Sequence, residues 1–235
     1  MGRAFEFRKG RKMKRWDRMA KAFTRLGKEI AIAVKSGGPI PETNPRLRVA
    51  MQNAKGVNMP KDRIEAAIKR ASSKDEKDFA EIVYEGYGPN GVAILAECAT
   101  DNTTRTVANI RMYFSKGNGA LGKTGSLDFI FDRKGVFILA PENINMEDME
   151  LELIDFGLED IYQDEDGIHV YTRFEDYGAM QKALEERNIN IISQELQRIP
   201  NTLVELDEAT EEAVMKLVDM IEEDDDVQAV YHNIK

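Results

Sequence analysis

The sequence predicts an α+β protein: an N-terminal three-helix bundle followed by two ferredoxin-like α/β domains, one inserted in the other. Three observations carry this. The first 70 residues repeat apolar side chains at spacings of three and four. From residue 84 onward, short alternating runs take turns with helical ones. Between 136 and 199 those runs fall in the order β-α-β-β-α-β, and the segments on either side supply the parts of a second such unit. The expected domains are 1–78, then 79–133 joined with 200–235, and 134–199 inserted between them.

The first helix is expected over 11–35. Met13, Trp16, Met19, Phe23, Leu26, Ile30 and Val34 form one face. Arg11, Lys14, Arg18, Lys21, Arg25, Lys28 and Lys35 centre on the opposite one. Ahead of it, the basic run with Arg8 and Lys9 reads as a flexible arm whose Phe5 and Phe7 either stack on bases or pack back on the bundle. "SGGPIPETNP" (36–45) breaks the chain. Asn44 then caps a second helix with Pro45 in its first turn. A third helix, "PKDRIEAAIKRA", turns Ile64, Ala67, Ile68 and Ala71 inward, and a polar linker follows.

The first α/β unit opens with a hairpin, 84–87 and 92–99, turning at Pro89-Asn90-Gly91. A helix capped by Asp101 or Asn102 runs to about 116, where Gly117 suits a left-handed cap. "SLDFIF" (126–131) reads as a strand. The inserted unit comprises strand 136–140, helix 146–156, strand 159–163, a turn at 164–167, strand 168–173, helix 175–187 and strand 191–199. The first unit resumes with strand 202–206, helix 207–223 and strand 227–234.

Composition narrows the function. A hydrophobic fraction of 42% supports packed cores. No apolar run reaches the roughly 18 residues of a membrane span, and the basic, aromatic start lacks the apolar stretch of a signal peptide. The single cysteine, Cys98, fits a reducing compartment, so a cytoplasmic location is expected. The net charge of −9 conceals a split. Residues 1–80 hold 21 Lys+Arg and 9 Asp+Glu, a net of +12; the remainder holds 12 and 33, a net of −21. A basic head on an acidic body points to a polyanion partner for the head.

"GNGALGKT" (117–124) fits G-x-x-x-x-G-K-[ST], the phosphate-binding loop of nucleotide hydrolases. That loop must leave a strand and open into a helix, so that helix N-terminal amides face the phosphates. Here the predicted order is helix, loop, strand, which argues against hydrolysis. Gly117, Gly119, Gly122 and Lys123 remain candidates for contact with a partner or a phosphate. His169 and His232 have no partner at metal-ligand spacing. "DEDG" (164–167) lacks the later ligands of a calcium loop and reads as a hairpin turn. "EEDDD" (222–226), at a helix C-terminus, reads as a solvated, repulsive patch. No catalytic residue, metal or cofactor is expected.

"ETNPRLRVAMQNAKGVNMPKDRIEAAIKRA" (42–71) and "YEGYGPNGVAILAECATDNTTRTVANIRMYFSKGNGALGKTGSLDFIF" (84–131) resemble the YebC/PmpR family, which includes the mitochondrial translational activator of cytochrome c oxidase. "GLEDI" (157–161) and "QRIPNTLVELDEAT" (197–210) are similar to family features as well. The chain departs from the family at its start, where "GRAFEFRKGRKMKRW" stands in place of a "GHSKW"-like stretch. The resemblance implies a non-enzymatic regulator with a helical bundle and two α/β domains. It implies DNA binding in transcription or, alternatively, binding to ribosomal RNA with relief of stalling at proline-rich stretches. A protein-interaction module is the third reading. The nucleic-acid contacts expected from the charge stripe are Arg8, Lys9, Arg11, Lys14, Arg18, Lys21, Arg25 and Lys28.

Overall fold

A computed structural model describes residues 3–73, 78–142 and 144–235, with the side chains of the first helix described from residue 19 onward. The first helix is longer than its apolar pattern required. α1 spans Arg3–Gly37, so the expected flexible arm is the first part of this helix. At 1.5 Å per residue, its 35 residues extend about 52 Å. α2 (Pro45–Gly56) starts as expected: the Asn44 side chain accepts from the Leu47 N–H. Its amide also donates to the carbonyls of Ala33 and Gly38, fastening the loop to the end of α1. α3 is Lys61–Ala71. Leu26, Ile30, Ala33 and Val34 of α1 pack with Leu47, Ala50, Ala54 and Ile64 in one buried core. This matches the 3–4 spacing read from the sequence.

The body holds two four-stranded antiparallel sheets. The second is built by β4 (Phe131–Leu139), α5 (Met146–Leu153), β5 (Leu158–Gln163), β6 (Ile168–Arg173), α6 (Tyr177–Glu186) and β7 (Ile191–Pro200), in the order β5-β6-β4-β7. That is the ferredoxin-like arrangement, and its core includes Phe137, Leu139, Leu153, Val170, Met180 and Leu184. The "DEDG" run is a hairpin turn, with the Asp164 N–H donating to the Gly167 carbonyl.

The first sheet contains β1 (Ala80–Tyr87), β2 (Ala93–Thr100), β3 (Ala120–Leu121) and β8 (Val227–His232), in the order β3-β1-β2-β8. α4 (Thr103–Lys116) and α7 (Glu208–Glu222) share a core with β2 and β8. The chain leaves this unit after β3, builds the whole second sheet, and returns for α7 and β8. Two expected strands are absent. Residues 202–206 reduce to a single bridge, Val204 to Ile234. The place beside β2 that this strand would have filled is taken by β1, whose pairing with β2 runs unbroken from Ala80 to Tyr87.

Residues 126–131 are also no separate strand. The segment follows a helical period, not a period of two. Leu127 and Phe131, four apart, are buried beneath the sheet, and Phe129 between them is 71% exposed. The Ile130 and Phe131 N–H groups both donate to the Leu127 carbonyl.

Candidate nucleic-acid interface

The face of α1 opposite the bundle core is where the sequence places its cations. Arg8, Lys9, Arg11, Lys14 and Arg18 lie on α1, but their side chains fall outside the described residues. Lys21 is exposed and carries the stripe forward. α3 offers no equivalent, since its exposed Lys61, Asp62, Arg63, Glu65, Lys69 and Arg70 mix both signs.

The last two of the expected contact residues, Arg25 and Lys28, are already engaged. Arg25 Nη2 donates to the Glu222 carbonyl at 3.2 Å. Lys28 Nζ donates to the carbonyls of Ala99 (2.9 Å) and Asp225 (2.7 Å) and to Asp226 Oδ1 (3.0 Å). Its side chain is only 13% exposed and that of Asp226 only 6%. The sequence reading made Lys28 a free cation on an exposed face; the structure makes it a tie between the bundle and the body. The reason is that helical spacing reports which face a residue occupies, not what another domain lays against that face.

Asp226 is the centre of this tie. Arg105 Nη2 lies 2.6 Å from Oδ2, and the hydroxyls of Thr106 and Thr100 donate to the same oxygen at 2.8 and 3.0 Å. Burial alone would raise this carboxyl, but the hydrogen bonds from Arg105, Thr106 and Lys28 outweigh it and hold it down to about 2. Asp224, two residues earlier, accepts from Asn109 Nδ2 (2.9 Å) and from the Tyr113 hydroxyl (3.1 Å). So the acidic run is not a purely solvated patch. It is fastened to α4 on one side and to α1 on the other. Nothing in a string of five acids marks which of them is buried. Only the apolar start of β8 immediately after Asp226 hints at it.

A second seam joins α2 to the edge of β7. Asn53 acts as a substitute strand: its Nδ2 donates to the Gln194 carbonyl at 2.8 Å, and its Oδ1 accepts the Gln194 N–H at 2.9 Å. Gln194 Nε2 donates to Gln52 Oε1, and Gln52 Nε2 donates to the Ile191 carbonyl. A β7 edge that would otherwise be open is thereby closed. Gly56 makes the approach possible, since a Cβ there would lie 2.2 Å from the Ile192 carbonyl oxygen. Sequence reasoning missed Asn53 and Gln194, because neutral amides carry no charge pattern to follow.

Between the two seams lies a cleft of about 860 Å3, lined by residues including Glu29, Arg46, Glu81, Glu97, Glu195 and Arg198. Arg46 pairs with Glu81, and Arg198 with Glu97. Burial, reinforced by Glu195, raises the Glu29 carboxyl to about 7, with Arg46 opposing.

The glycine-rich loop is folded around the chain's own carboxylate. Glu85, 4% exposed, accepts the Gly125 N–H at Oε1 and the Leu127 N–H at Oε2, both at 2.7 Å, and the Ser126 hydroxyl at 3.3 Å. The Gly122 N–H meets the Glu85 carbonyl at 2.7 Å. Amides that would face an outside phosphate therefore face Glu85. Gly117 is not left-handed; its φ is −84°, and Asn118 takes the positive φ. A Cβ on Gly117 would strike Leu217 at 2.8 Å, and one on Gly119 the Tyr87 carbonyl oxygen at 2.6 Å. These glycines serve close packing, while Lys123 is exposed beside them. α4 precedes the loop and turns follow it, so no helix opens there to receive phosphate.

His169 Nε2 lies 3.0 Å from Asp164 Oδ1 and its ring stacks on Tyr162. Cys98 is buried, which pushes its thiol up to about 12. Among the described residues, no group of three or more His, Cys, Asp or Glu is placed to hold a metal, and no helix is long and apolar enough to cross a membrane.

Comparison with known proteins agrees along the whole chain. Residues 3–74 match the TACO1/YebC protein N-terminal domain, and residues 79–234 match the TACO1/YebC second and third domain. A probable transcriptional regulatory protein of Cytophaga hutchinsonii is 62% identical over 234 residues, covering 100% of this chain and 98% of that protein. One from Parabacteroides distasonis is 58% identical, covering 100% and 97%. The crystal structure of a conserved hypothetical protein from Aquifex aeolicus superposes with a TM-score of 0.81 at 37% identity, covering 92% of this chain and 90% of that one. With both halves of the chain matched and identity above 50% to full-length relatives, the chain belongs to the TACO1/YebC family.

Proposed function

We propose that this protein is a non-enzymatic regulator of gene expression that binds nucleic acid, with duplex DNA as its partner and transcription as its level of action. The observation that carries the reading is the charge split, +12 over residues 1–80 against −21 over the rest. The relatives' description as probable transcriptional regulatory proteins supports the choice of DNA. In this reading α1 lies along the sugar–phosphate backbone, and its cations replace condensed counterions. Such contacts fix position without reading bases. The acidic body is kept away by its own charge, which orients the bundle toward the polyanion.

A second reading rests on the mixed charge of α3. A long cationic α1 beside an α3 of mixed charge suits recognition by backbone and shape, which is how structured RNA is bound. Ribosomal RNA is then the target and translation the process. One pair of measurements separates the two: duplex-DNA retention and co-sedimentation with ribosomes, both at physiological salt. The proposal expects DNA retention that weakens steeply with salt. Ribosome co-sedimentation without DNA retention supports the second reading. Absence of both overturns nucleic-acid binding altogether.

A further inference from the structure

We propose that the acidic turn 222–226, at the end of α7, is an internal competitor for the cationic face of α1, so that a polyanion reaches the whole stripe only when α1 lifts off the body. This inference rests on the nucleic-acid reading above and adds its regulation.

The chemistry of the contact is that of a phosphate site. Arg25 and Lys28 continue the stripe from exposed Lys21 at spacings of four and three. What they meet is a cluster of oxygens: the carbonyls of Glu222, Asp225 and Ala99 and one Asp226 carboxylate oxygen. Charge-assisted bonds of this kind are the ones phosphate oxygens also make.

α7 has its own need for these cations. Its C-terminus carries the negative end of the helix dipole, and its last turn contains no basic residue. The run Glu222–Asp226 adds five carboxylates there. Arg105 of α4 balances part of this charge, Arg25 and Lys28 supply the rest from another domain, and no residue of the last turn of α7 replaces them when they leave.

The turn keeps its shape without α1. Asp226 retains Arg105, Thr100 and Thr106, and Asp224 retains Asn109 and Tyr113. Release therefore costs chiefly the bonds of Arg25 and Lys28, which phosphate oxygens can replace. The amide seam between α2 and β7 holds no ion pair for an anion to compete with. It is the natural axis for the movement.

The test uses the full chain with a 30-base-pair duplex and a 30-nucleotide single-stranded RNA. Glu222→Gln/Glu223→Gln/Asp225→Asn removes three carboxylates of the turn and spares the Asp224 and Asp226 networks. Glu147→Gln/Asp148→Asn/Glu150→Gln removes the same charge from exposed positions of α5. The turn variant is expected to bind roughly three- to tenfold tighter than wild type, the order of a few surface charge interactions, with the α5 variant close to wild type. Spin labels at Thr24→Cys and Glu223→Cys, both exposed positions, report the separation directly, and saturating nucleic acid is expected to lengthen it. Equal tightening in both variants means long-range charge alone and overturns the inference. So does an unchanged label distance at saturation, whatever the affinities. If neither wild type nor variants bind either probe, nucleic-acid binding itself falls, and this inference with it.

Discussion

The bundle meets the body at two seams built from opposite chemistry. At α1 the seam is ionic: Lys28 and Arg25 against the acidic end of α7. Between α2 and β7 it is neutral: Asn53 and Gln52 pair with the strand edge through amides alone, while Arg46 at the start of α2 reaches Glu81 of β1 as a separate, exposed ion pair. A polyanion, whose oxygens can replace those that Arg25 and Lys28 meet, competes for the first and finds nothing to exchange at the second. One interface is therefore responsive and the other constitutive, although one bundle makes both, the first through α1 and the second through α2.

The sharpest way to break the ionic seam is Asp226→Ala. It leaves Lys28, Arg105, Thr100 and Thr106 without their shared acceptor. Breaking a buried pair from one side costs about 3–5 kcal/mol, so urea unfolding should show a loss of that order. The same carboxylate gives a pH signature. Its folded pKa is about 2 against an ordinary 3.8. The stabilisation is thus present above pH about 4 and is lost as the pH falls toward 2, amounting to about 2 kcal/mol. Acid titration of wild type and Asp226→Asn should differ across that window and run parallel above it.

The neutral seam is broken by shape. Gly56→Ala drives a Cβ into the Ile192 carbonyl. The expected destabilisation is about 1–3 kcal/mol, and unlike the cost of Asp226→Ala it should not shrink as the pH falls from about 4 toward 2. The smallest effect is at Glu29, between the seams. Its folded pKa of about 7 lies above the ordinary 4.5, so its ionised form opposes folding, and stability falls as pH rises from about 4.5 to 7. Glu29→Gln should stabilise the protein at pH 8 by on the order of 1–2 kcal/mol and change little at pH 4. A variant that is no more stable at pH 8 contradicts the assignment.

Local patterns made much of this architecture legible. The 3–4 spacing of Leu26, Ile30 and Val34, the Asn44 and Asn102 caps and the β-α-β-β-α-β order all follow from short-range rules, and the structure follows them. What stayed hidden depends on distant partners. Leu127, Phe129 and Phe131 recur at every second position like a strand, yet Glu85, about 40 positions earlier, captures the Gly125 and Leu127 amides and holds a turn. β1 occupies a strand position that sequence order assigned to 202–206. The α1 stripe was readable as charge, but not the burial of Lys28 within it, because the acid that buries this lysine lies 198 residues away.

The central claim is that the cationic face of α1 holds nucleic acid. Its most direct test is the salt dependence of binding by the full chain and by Arg11→Gln/Lys14→Gln/Arg18→Gln/Lys21→Gln, which spares Arg25 and Lys28 and so leaves the ionic seam intact. Four phosphate contacts contribute about −3 to −4 to the slope of log affinity against log salt. The account predicts that the variant folds as wild type does, binds more weakly at physiological salt and has a slope flatter by about that amount. A variant that binds duplex DNA and ribosomes with the wild-type affinity and slope would contradict it.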